Sequence, residues 1–341
     1  MKRWVPFGLL LLLGGCKVVK NDIPPEQIAM QSPFREQQAA EFFEQGKAYE
    51  ESGNAYVAAK NYQIVCRQFL ETQAAPKSFH AWSRILASQK KYDSAFQKLA
   101  FVLKNYPDYP LYDVAVQEGF TIACHLMKKY EQAKRSSKIL SFFKDPKQAI
   151  EGFQYIVSHS PRSSYAPQAL LYTAELQQLD REPAKAVETL EQLIDRYPKS
   201  EWIPSAYLLQ SEIYLSMVNS AANDQGITQR AISSCEEFLL LFGQREDLSK
   251  EIAIAKARLQ KAQNLYAKSR LLFGEFFYLR RHYPEGALPF YQEVRLFAPE
   301  SSAAQLANRR IESINNGTRI PTNWADHLWG PVIYKPMEIS E

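Results

Sequence analysis

The chain has 341 residues, enough to bury one large hydrophobic core or two smaller ones. Its 41 lysine and arginine residues nearly balance 37 aspartate and glutamate residues, and no basic stripe or acidic block stands out, which argues against a nucleic-acid partner. Only 13 glycines occur, and Ala, Leu, Tyr and Phe recur at steps of three and four residues. Composition and spacing together predict an all-α protein.

The first residues, "MKRWVPFGLLLLLGGC", have the pattern of an export signal. Lys2 and Arg3 precede an apolar run over residues 4–13, which is about half of the ~20 residues that a membrane-spanning helix needs. The run ends in "LGGC", which resembles the bacterial lipobox. The resemblance implies removal of residues 1–15 by cleavage between Gly15 and Cys16, and attachment of a lipid to the Cys16 thiol. An ordinary signal peptide with a chance cysteine is the alternative.

A lipid on Cys16 would anchor the mature chain to a membrane without crossing it. In well-studied Gram-negative bacteria an aspartate directly after the cysteine retains a lipoprotein at the inner membrane, and this chain has Lys17 there. We therefore expect the protein on the periplasmic face of the outer membrane, with residues 16–35 as the lipidated N-terminus and linker. No cofactor is expected beyond the covalent lipid.

A nine-residue pattern recurs along the rest of the chain. It reads P-x-S, five further residues and Ala, and it occupies residues 161–169, 198–206 and 299–307. An alanine also stands twelve residues before a proline four times, at Ala95/Pro107, Ala149/Pro161, Ala186/Pro198 and Ala287/Pro299. This spacing resembles the tetratricopeptide repeat, a helix–turn–helix unit of 34 residues. The nine-residue pattern is then a joint, where helix B of one repeat ends and helix A of the next begins.

Small residues should mark the closest approach of the two helices of a repeat. We expect Gly46 to face Ala58 in the first repeat, and Ala174 to face Ala186 in a later one. The proline after helix B cannot continue the helix, so the chain turns there. The serine of each joint then offers an oxygen that can cap the next helix A.

This unit divides the chain into six repeats, at about residues 36–71, 77–107, 113–161, 165–198, 203–243 and 249–299. The third contains an insertion, and the fifth contains a loop and has Gly243 in place of its closing proline. The sixth opens with a long helix over about residues 249–281, and Pro289 indicates that its helix B starts late. Stacked repeats share one continuous core, so residues 36–314 are predicted to form a superhelical solenoid.

Three stretches resemble the BamD family of outer-membrane assembly lipoproteins. They are "CKVVKNDIPPEQIA" from Cys16, the long helix with the interrupted repeat before it, and "LYAKSRLLFGEFFYLRRHYPEGALPFYQEVRLFAPES" near the C-terminus. The resemblance covers about residues 110–312. It implies a non-enzymatic protein that docks on an Omp85-type barrel protein through its C-terminal repeats and receives unfolded outer-membrane protein clients in its N-terminal repeats.

Two departures from the family limit this resemblance. The family has about five repeats rather than six, and Phe290 falls near the place of the arginine by which its last helix B touches the barrel protein. The tail, residues 315–341, has no counterpart. Its Trp324 and Trp329 suggest an extended segment that either caps the solenoid or grips a partner.

Aromatic residues of the first two repeats are candidates for client binding. Tyr49, Tyr56, Trp82 and Tyr92 would suit an extended strand if they line a groove. The alternative is that they belong to the core of the repeats.

Catalytic and metal-binding motifs are missing from the sequence. The five histidines have no metal-like spacing, and Cys66, Cys124 and Cys235 lie in apolar helical stretches typical of core thiols. No G-x-S-x-G, H-E-x-x-H or P-loop pattern occurs. We therefore expect no metal site and no enzymatic activity. Two other functions stay open: a repeat lipoprotein adaptor for cell division, peptidoglycan or secretin and pilus assembly, and an envelope hydrolase with a clustered carboxylate or histidine site.

Overall fold

The computed structural model describes residues 33–136, 146–220 and 224–317. The predictions for Gly15, Cys16, Trp324 and Trp329 lie outside these residues. Within them every regular element is helical, so the all-α prediction is confirmed.

Thirteen α-helices follow one another in the described residues. They are α1 (Pro33–Glu51), α2 (Ala55–Gln68), α3 (Ala74–Ser88), α4 (Tyr92–Asn105), α5 (Tyr112–Ser136), α6 (Lys147–His159), α7 (Tyr165–Leu179), α8 (Pro183–Arg196), α9 (Ile203–Met217), α10 (Gln225–Phe242), α11 (Ser249–Glu275), α12 (Pro284–Phe297) and α13 (Ser302–Asn315). A 3₁₀ turn, Glu246–Leu248, precedes α11, and a π turn, Phe276–Arg280, follows it. The chain divides into two compact units, one ending at Ile85 and the other beginning at Leu86.

The first unit is built on the antiparallel pair α1 and α2. Asn54 begins α2 as its N-cap, because its side chain accepts a hydrogen bond from the Val57 N–H at 3.3 Å. The apolar face of α2 then buries Ala58 and Tyr62 against Ala81 and other residues of α3. Burial of this face supplies most of the stability of so short a unit.

The second unit continues the alternation of helices A and B. Its core contains aromatic rings from three consecutive helices, since Phe120 of α5 packs against Phe153 of α6 and Tyr172 of α7, each with ring centroids 5.6–5.9 Å apart. Hydroxyl groups also tie one repeat to the next. Tyr155 of α6, for example, donates to the carbonyl oxygen of Ala100 in α4 at 2.8 Å.

The three joints are turns, as their sequence predicts. In the last joint Ser301 is the N-cap of α13 and accepts from the Ala304 N–H at 3.1 Å. In the other two, the joint serine is not the N-cap of the helix, contrary to the expectation, because α7 and α9 begin two and three residues further on; its oxygen accepts the N–H two residues later instead. Successive joints are connected as well, because the Tyr197 hydroxyl donates to the Pro161 carbonyl at 2.7 Å.

The turn inside several repeats places one residue in the left-handed region. Gly53 has φ +84°, and the same turn holds Lys90 and Arg181 at φ values of 60° and 64°. In each case the next N–H reaches back five residues, as in the bond from Glu182 N–H to the Gln177 carbonyl at 2.9 Å, which is a Schellman C-cap. Only the first of these turns uses the glycine that this conformation favours.

The prediction that helix B of the sixth repeat starts late is wrong. Helix α12 begins at Pro284, where a proline is well tolerated, and Pro289 lies in its second turn. A proline there removes one backbone hydrogen bond at a cost of about 3 kcal/mol. The neighbouring side chains offset this cost, since Tyr291 is fully buried and Phe290 stacks on two other rings.

Candidate partner-binding surfaces

The residues predicted to pack the repeats occupy two kinds of position. Those on the helices are buried, and the four prolines lie in exposed turns after helix B: Gly46, Ala58, Ala95, Ala149, Ala174, Ala186, Ala287, Pro107, Pro161, Pro198 and Pro299. One detail differs from the expectation. The nearest atoms to Gly46 belong to the ring of Tyr62, where an added Cβ would lie 2.6 Å from Cε1, rather than to Ala58. The glycine is needed because an aromatic ring covers it.

The same arrangement recurs in the last repeat with Gly274 and Tyr291. An added Cβ on Gly274 would again lie 2.6 Å from the tyrosine Cε1. The Tyr291 hydroxyl donates to Glu275 at 2.8 Å, and Arg310 of α13 binds both carboxylate oxygens of Glu275 at 2.8 and 2.9 Å. Burial, and then the charge of Glu275, raise the pKa of Tyr291 above its usual range. These contacts hold α11, α12 and α13 together through one buried network.

The aromatic residues predicted to bind clients divide into exposed and packed ones. In the first unit Tyr49 is 43% exposed and Tyr56 is 69% exposed, so both rings are available to a partner. The Lys60 ammonium lies 4.5 Å from the centre of the Tyr56 ring. Trp82 instead packs against the core cluster of Ala58 and Tyr62. In the second unit Tyr92 stacks on His125, with ring centroids 4.8 Å apart.

Three exposed apolar side chains belong to the last repeat, at different places on it. Leu296 is 75% exposed, and Phe276 and Tyr283 are about half exposed. Leu296 also lines an open cavity of about 420 Å³ between α12 and α13, whose other lining residues are Gln292, Arg295, Pro299 and Asn308. Phe290, at the place where the resembling family has its partner-contacting arginine, lies between the rings of Phe273 and Phe277.

A second cavity of about 490 Å³ lies between α8, α9 and α10. Its floor is formed by buried side chains of α9 and α10: Tyr207, Gln210, Tyr214 and Ser234. Its rim carries exposed side chains of α8 and α10, mostly charged: Glu191, Asp195, Arg230, Ser233 and Glu237, with the half-buried Ile194. No pattern in the sequence indicates this cavity, because Glu191 and Asp195 lie on α8, Glu237 lies on α10 at least 42 residues away, and the three follow no motif.

A pair of acidic residues lies where α5 meets α7. Burial raises the pKa of the Glu175 carboxyl to about 7, and the nearby negative charge of Glu131 adds to the shift. Burial likewise raises the pKa of the Cys124 thiol to about 11, so this thiol stays protonated and unreactive at neutral pH.

Neither a metal site nor a membrane-spanning helix occurs in the part of the chain that the structure describes. There, no group of three or more His, Cys, Asp or Glu side chains has the arrangement of a metal site. Among the same residues, no helix combines the length and the apolar character needed to cross a bilayer.

Comparison with known proteins identifies the repeat. Residues 168–200 match the tetratricopeptide repeat family. No curated protein matches the chain. Two similar solved structures are a thermophilic TPR protein from Thermus thermophilus, 16% identical with TM-score 0.33 over 64% of this chain and 99% of that one, and a tetratricopeptide repeat protein from Parabacteroides merdae, 13% identical with TM-score 0.32 over 81% of this chain and 98% of that one.

The chain therefore contains a tetratricopeptide repeat, and its α7 and α8 correspond to the repeat predicted at residues 165–198. Repeats of this kind imply a scaffold for protein–protein interaction, a fold that is typically non-catalytic.

Proposed function

We propose that the protein is a non-enzymatic scaffold lipoprotein of the machinery that assembles β-barrel proteins in the outer membrane. Cys16 carries its lipid anchor, and the chain faces the periplasm. Its last repeat binds an Omp85-type barrel protein, and the exposed Tyr49 and Tyr56 in the first unit receive unfolded client proteins. The lipobox-like "LGGC", the tetratricopeptide repeat and the resemblance of the C-terminal stretch support this proposal.

The observation that carries the proposal is the exposed Leu296 beside the cavity of the last repeat. The resemblance assigns partner docking to this part of the chain, and here Leu296, Phe276 and Tyr283 are exposed on helices that a buried network holds together. Of these three, Leu296 lies beside the cavity between α12 and α13, and an exposed apolar side chain next to a concave surface suits a protein–protein interface. A large aliphatic side chain on a rigid helix is a suitable anchor for such a partner.

The test is a mild-detergent pull-down of the tagged, lipidated full chain from its own membranes, with identification of the proteins that co-purify. We expect an Omp85-type barrel protein in near-equal amount. The variant Leu296→Glu should reduce its recovery at least about tenfold, because a charge would be buried in the interface. The matched control is Leu240→Glu on α10, which is 85% exposed and lies outside the last repeat.

Each outcome has a definite meaning. Equal loss of the barrel protein with both leucine variants would remove the last repeat as the docking site. Recovery of division or secretin components without a barrel protein would overturn the proposal in favour of the adaptor function. The anchor is tested separately by mass spectrometry of the N-terminal peptide, since Cys16→Ala must abolish the lipid mass and release the chain from membranes.

A further inference from the structure

The cavity between α8, α9 and α10 has the chemistry of a binding site for a cationic side chain. We propose that it binds an extended polypeptide segment and receives one lysine or arginine side chain of that segment. This inference is independent of the proposed outer-membrane function, because it rests only on the residues that line the cavity.

The first step concerns the charge of the rim. Glu191, Asp195 and Glu237 are exposed at the opening, and Arg230 is the one cation among the residues that line the cavity, so the formal charge is −2. None of these three carboxylates forms an ion pair within 4 Å with a cation of the described residues. Arg230 acts on the same Tyr214 hydroxyl as Glu191 and offsets part of this charge, so the opening keeps a net negative charge, and charge complementarity favours a positive group.

The second step concerns Gln210, which is 7% exposed and lines the floor. One end of its amide contacts the Ser234 hydroxyl at 3.0 Å. Among the described residues, nothing hydrogen-bonds the other end. The Nε2 group of Gln210 is therefore free to donate to an occupant of the cavity. Because Oε1 accepts from Ser234, Nε2 is the group that can pair with a peptide backbone, by donating to its carbonyl oxygen.

The third step concerns the two tyrosines of the floor. The Tyr214 hydroxyl donates to Glu191 at 3.4 Å, so this ring steadies one carboxylate of the rim, and the negative charge of Glu237 acts on Tyr207. Both tyrosines are largely buried, and both line the cavity. The aliphatic stem of a lysine or arginine can pack on such a ring while its charged end reaches the carboxylates. A neutral side chain of the same length would gain only the packing.

The cavity is large enough for this occupant. About 490 Å³ accommodates one long side chain with its adjoining backbone. An extended segment with one basic residue satisfies the size, the amide and the charge together.

The experiment uses the full lipidated chain in detergent and two pentapeptides, Gly-Ala-Lys-Ala-Gly and the same peptide with norleucine for lysine, each labelled with fluorescein on its N-terminal amine and amidated at its C-terminus. Fluorescence anisotropy at about 50 mM salt should show the lysine peptide binding at least about tenfold more tightly. The variant Glu237→Gln should weaken the lysine peptide about fivefold and leave the norleucine peptide unchanged.

The matched control is Glu236→Gln, which removes the same charge from the neighbouring, exposed position of α10 that does not line the cavity. It should change the affinity less than about twofold. The two variants must first show the same thermal unfolding as the parent chain. Equal binding of the two peptides, no binding of either, or equal weakening by Glu236→Gln and Glu237→Gln would each overturn the proposal.

Discussion

Replacement of Gly274 with alanine is expected to destabilise the last repeat. The new methyl group would lie 2.6, 2.9 and 3.1 Å from three atoms of the Tyr291 ring, closer than carbon atoms tolerate. The ring cannot move away freely, because its hydroxyl is bound to Glu275 and Glu275 is bound in turn to Arg310. The strain must therefore open the contact between α11 and α12.

Two opposing effects set the size of the change. Overpacking a buried site costs about 1–3 kcal/mol, and a fully buried ring held by a hydrogen bond is at the upper end of that range. Alanine gains about 1 kcal/mol over glycine in a helix interior. We expect a net loss of about 1–2 kcal/mol in the free energy of unfolding of this repeat.

The matched control is Gly119→Ala in α5. Its added Cβ would lie 3.7 Å from Phe96, which is an ordinary contact, so only the helix-propensity gain of at most about 1 kcal/mol applies. The two substitutions are chemically identical and should have opposite signs.

Urea unfolding followed by circular dichroism gives the overall change. Native-state hydrogen exchange then locates it, because helical repeats can open separately. Faster exchange in α12 and α13 is expected for Gly274→Ala. Stability equal to or above that of the parent chain would refute the reasoning. So would full additivity with Tyr291→Leu, since removal of the ring should relieve the clash.

Two other substitutions test buried charge. The pKa of Glu175 is raised from 4.5 to about 7 in the folded chain, so the folded state is favoured below pH 4.5 and loses that advantage as the pH rises to about 7. Glu175→Gln should thus be neutral at about pH 4.5 and stabilising by at most about 3 kcal/mol at about pH 8.5, and the thermal midpoints at both values check this. A pH-independent effect would contradict it. Arg310→Met should destabilise by about 3 kcal/mol in urea, because it leaves Glu275 buried without its cation, and adding Glu275→Gln should restore part of that loss. No recovery in the double variant would show that Arg310 acts through packing alone.

The positions of the helices could be predicted closely from the sequence. Helix α8, for instance, ends at Arg196, two residues before Pro198, and the joint at Ser200 leads into α9 at Ile203. Such boundaries depend on interactions within a few residues, namely the apolar period, the proline and the serine oxygen. Local spacing therefore determines these boundaries. The late start that Pro289 predicted for α12 is wrong because the packing of Phe290 and Tyr291 against other parts of the last repeat offsets the cost of the proline.

The candidate sites could be predicted much less well. Tyr56 and Trp82 are both aromatic residues of the first repeats, yet one is 69% exposed and the other packs on the core. Which of them faces solvent depends on the rotation of each helix against its neighbours, and an apolar period does not distinguish a groove from a core. The cavity around Gln210 could not be predicted from the sequence for the same reason, since three helices must pack before its polar groups come together.

The network around tyrosine differs between the two ends of the chain in a way that bears on partner binding. Near the N-terminus, the Tyr62 hydroxyl donates to Glu50. The cation paired with Glu50 is Arg84, whose Nη2 lies 3.5 Å from the carboxylate and whose side chain is 55% exposed. In the last repeat the corresponding carboxylate is held by a bidentate arginine that is 18% exposed. Exposed ion pairs contribute at most about 1 kcal/mol, whereas breaking a buried one is several times more costly.

We therefore expect the last repeat to open less readily than the first, and a rigid surface loses less entropy when it binds. That difference suits the proposed permanent partner at Leu296, whose docking the leucine variants test. The proposed clients would instead meet the exposed rings of Tyr49 and Tyr56.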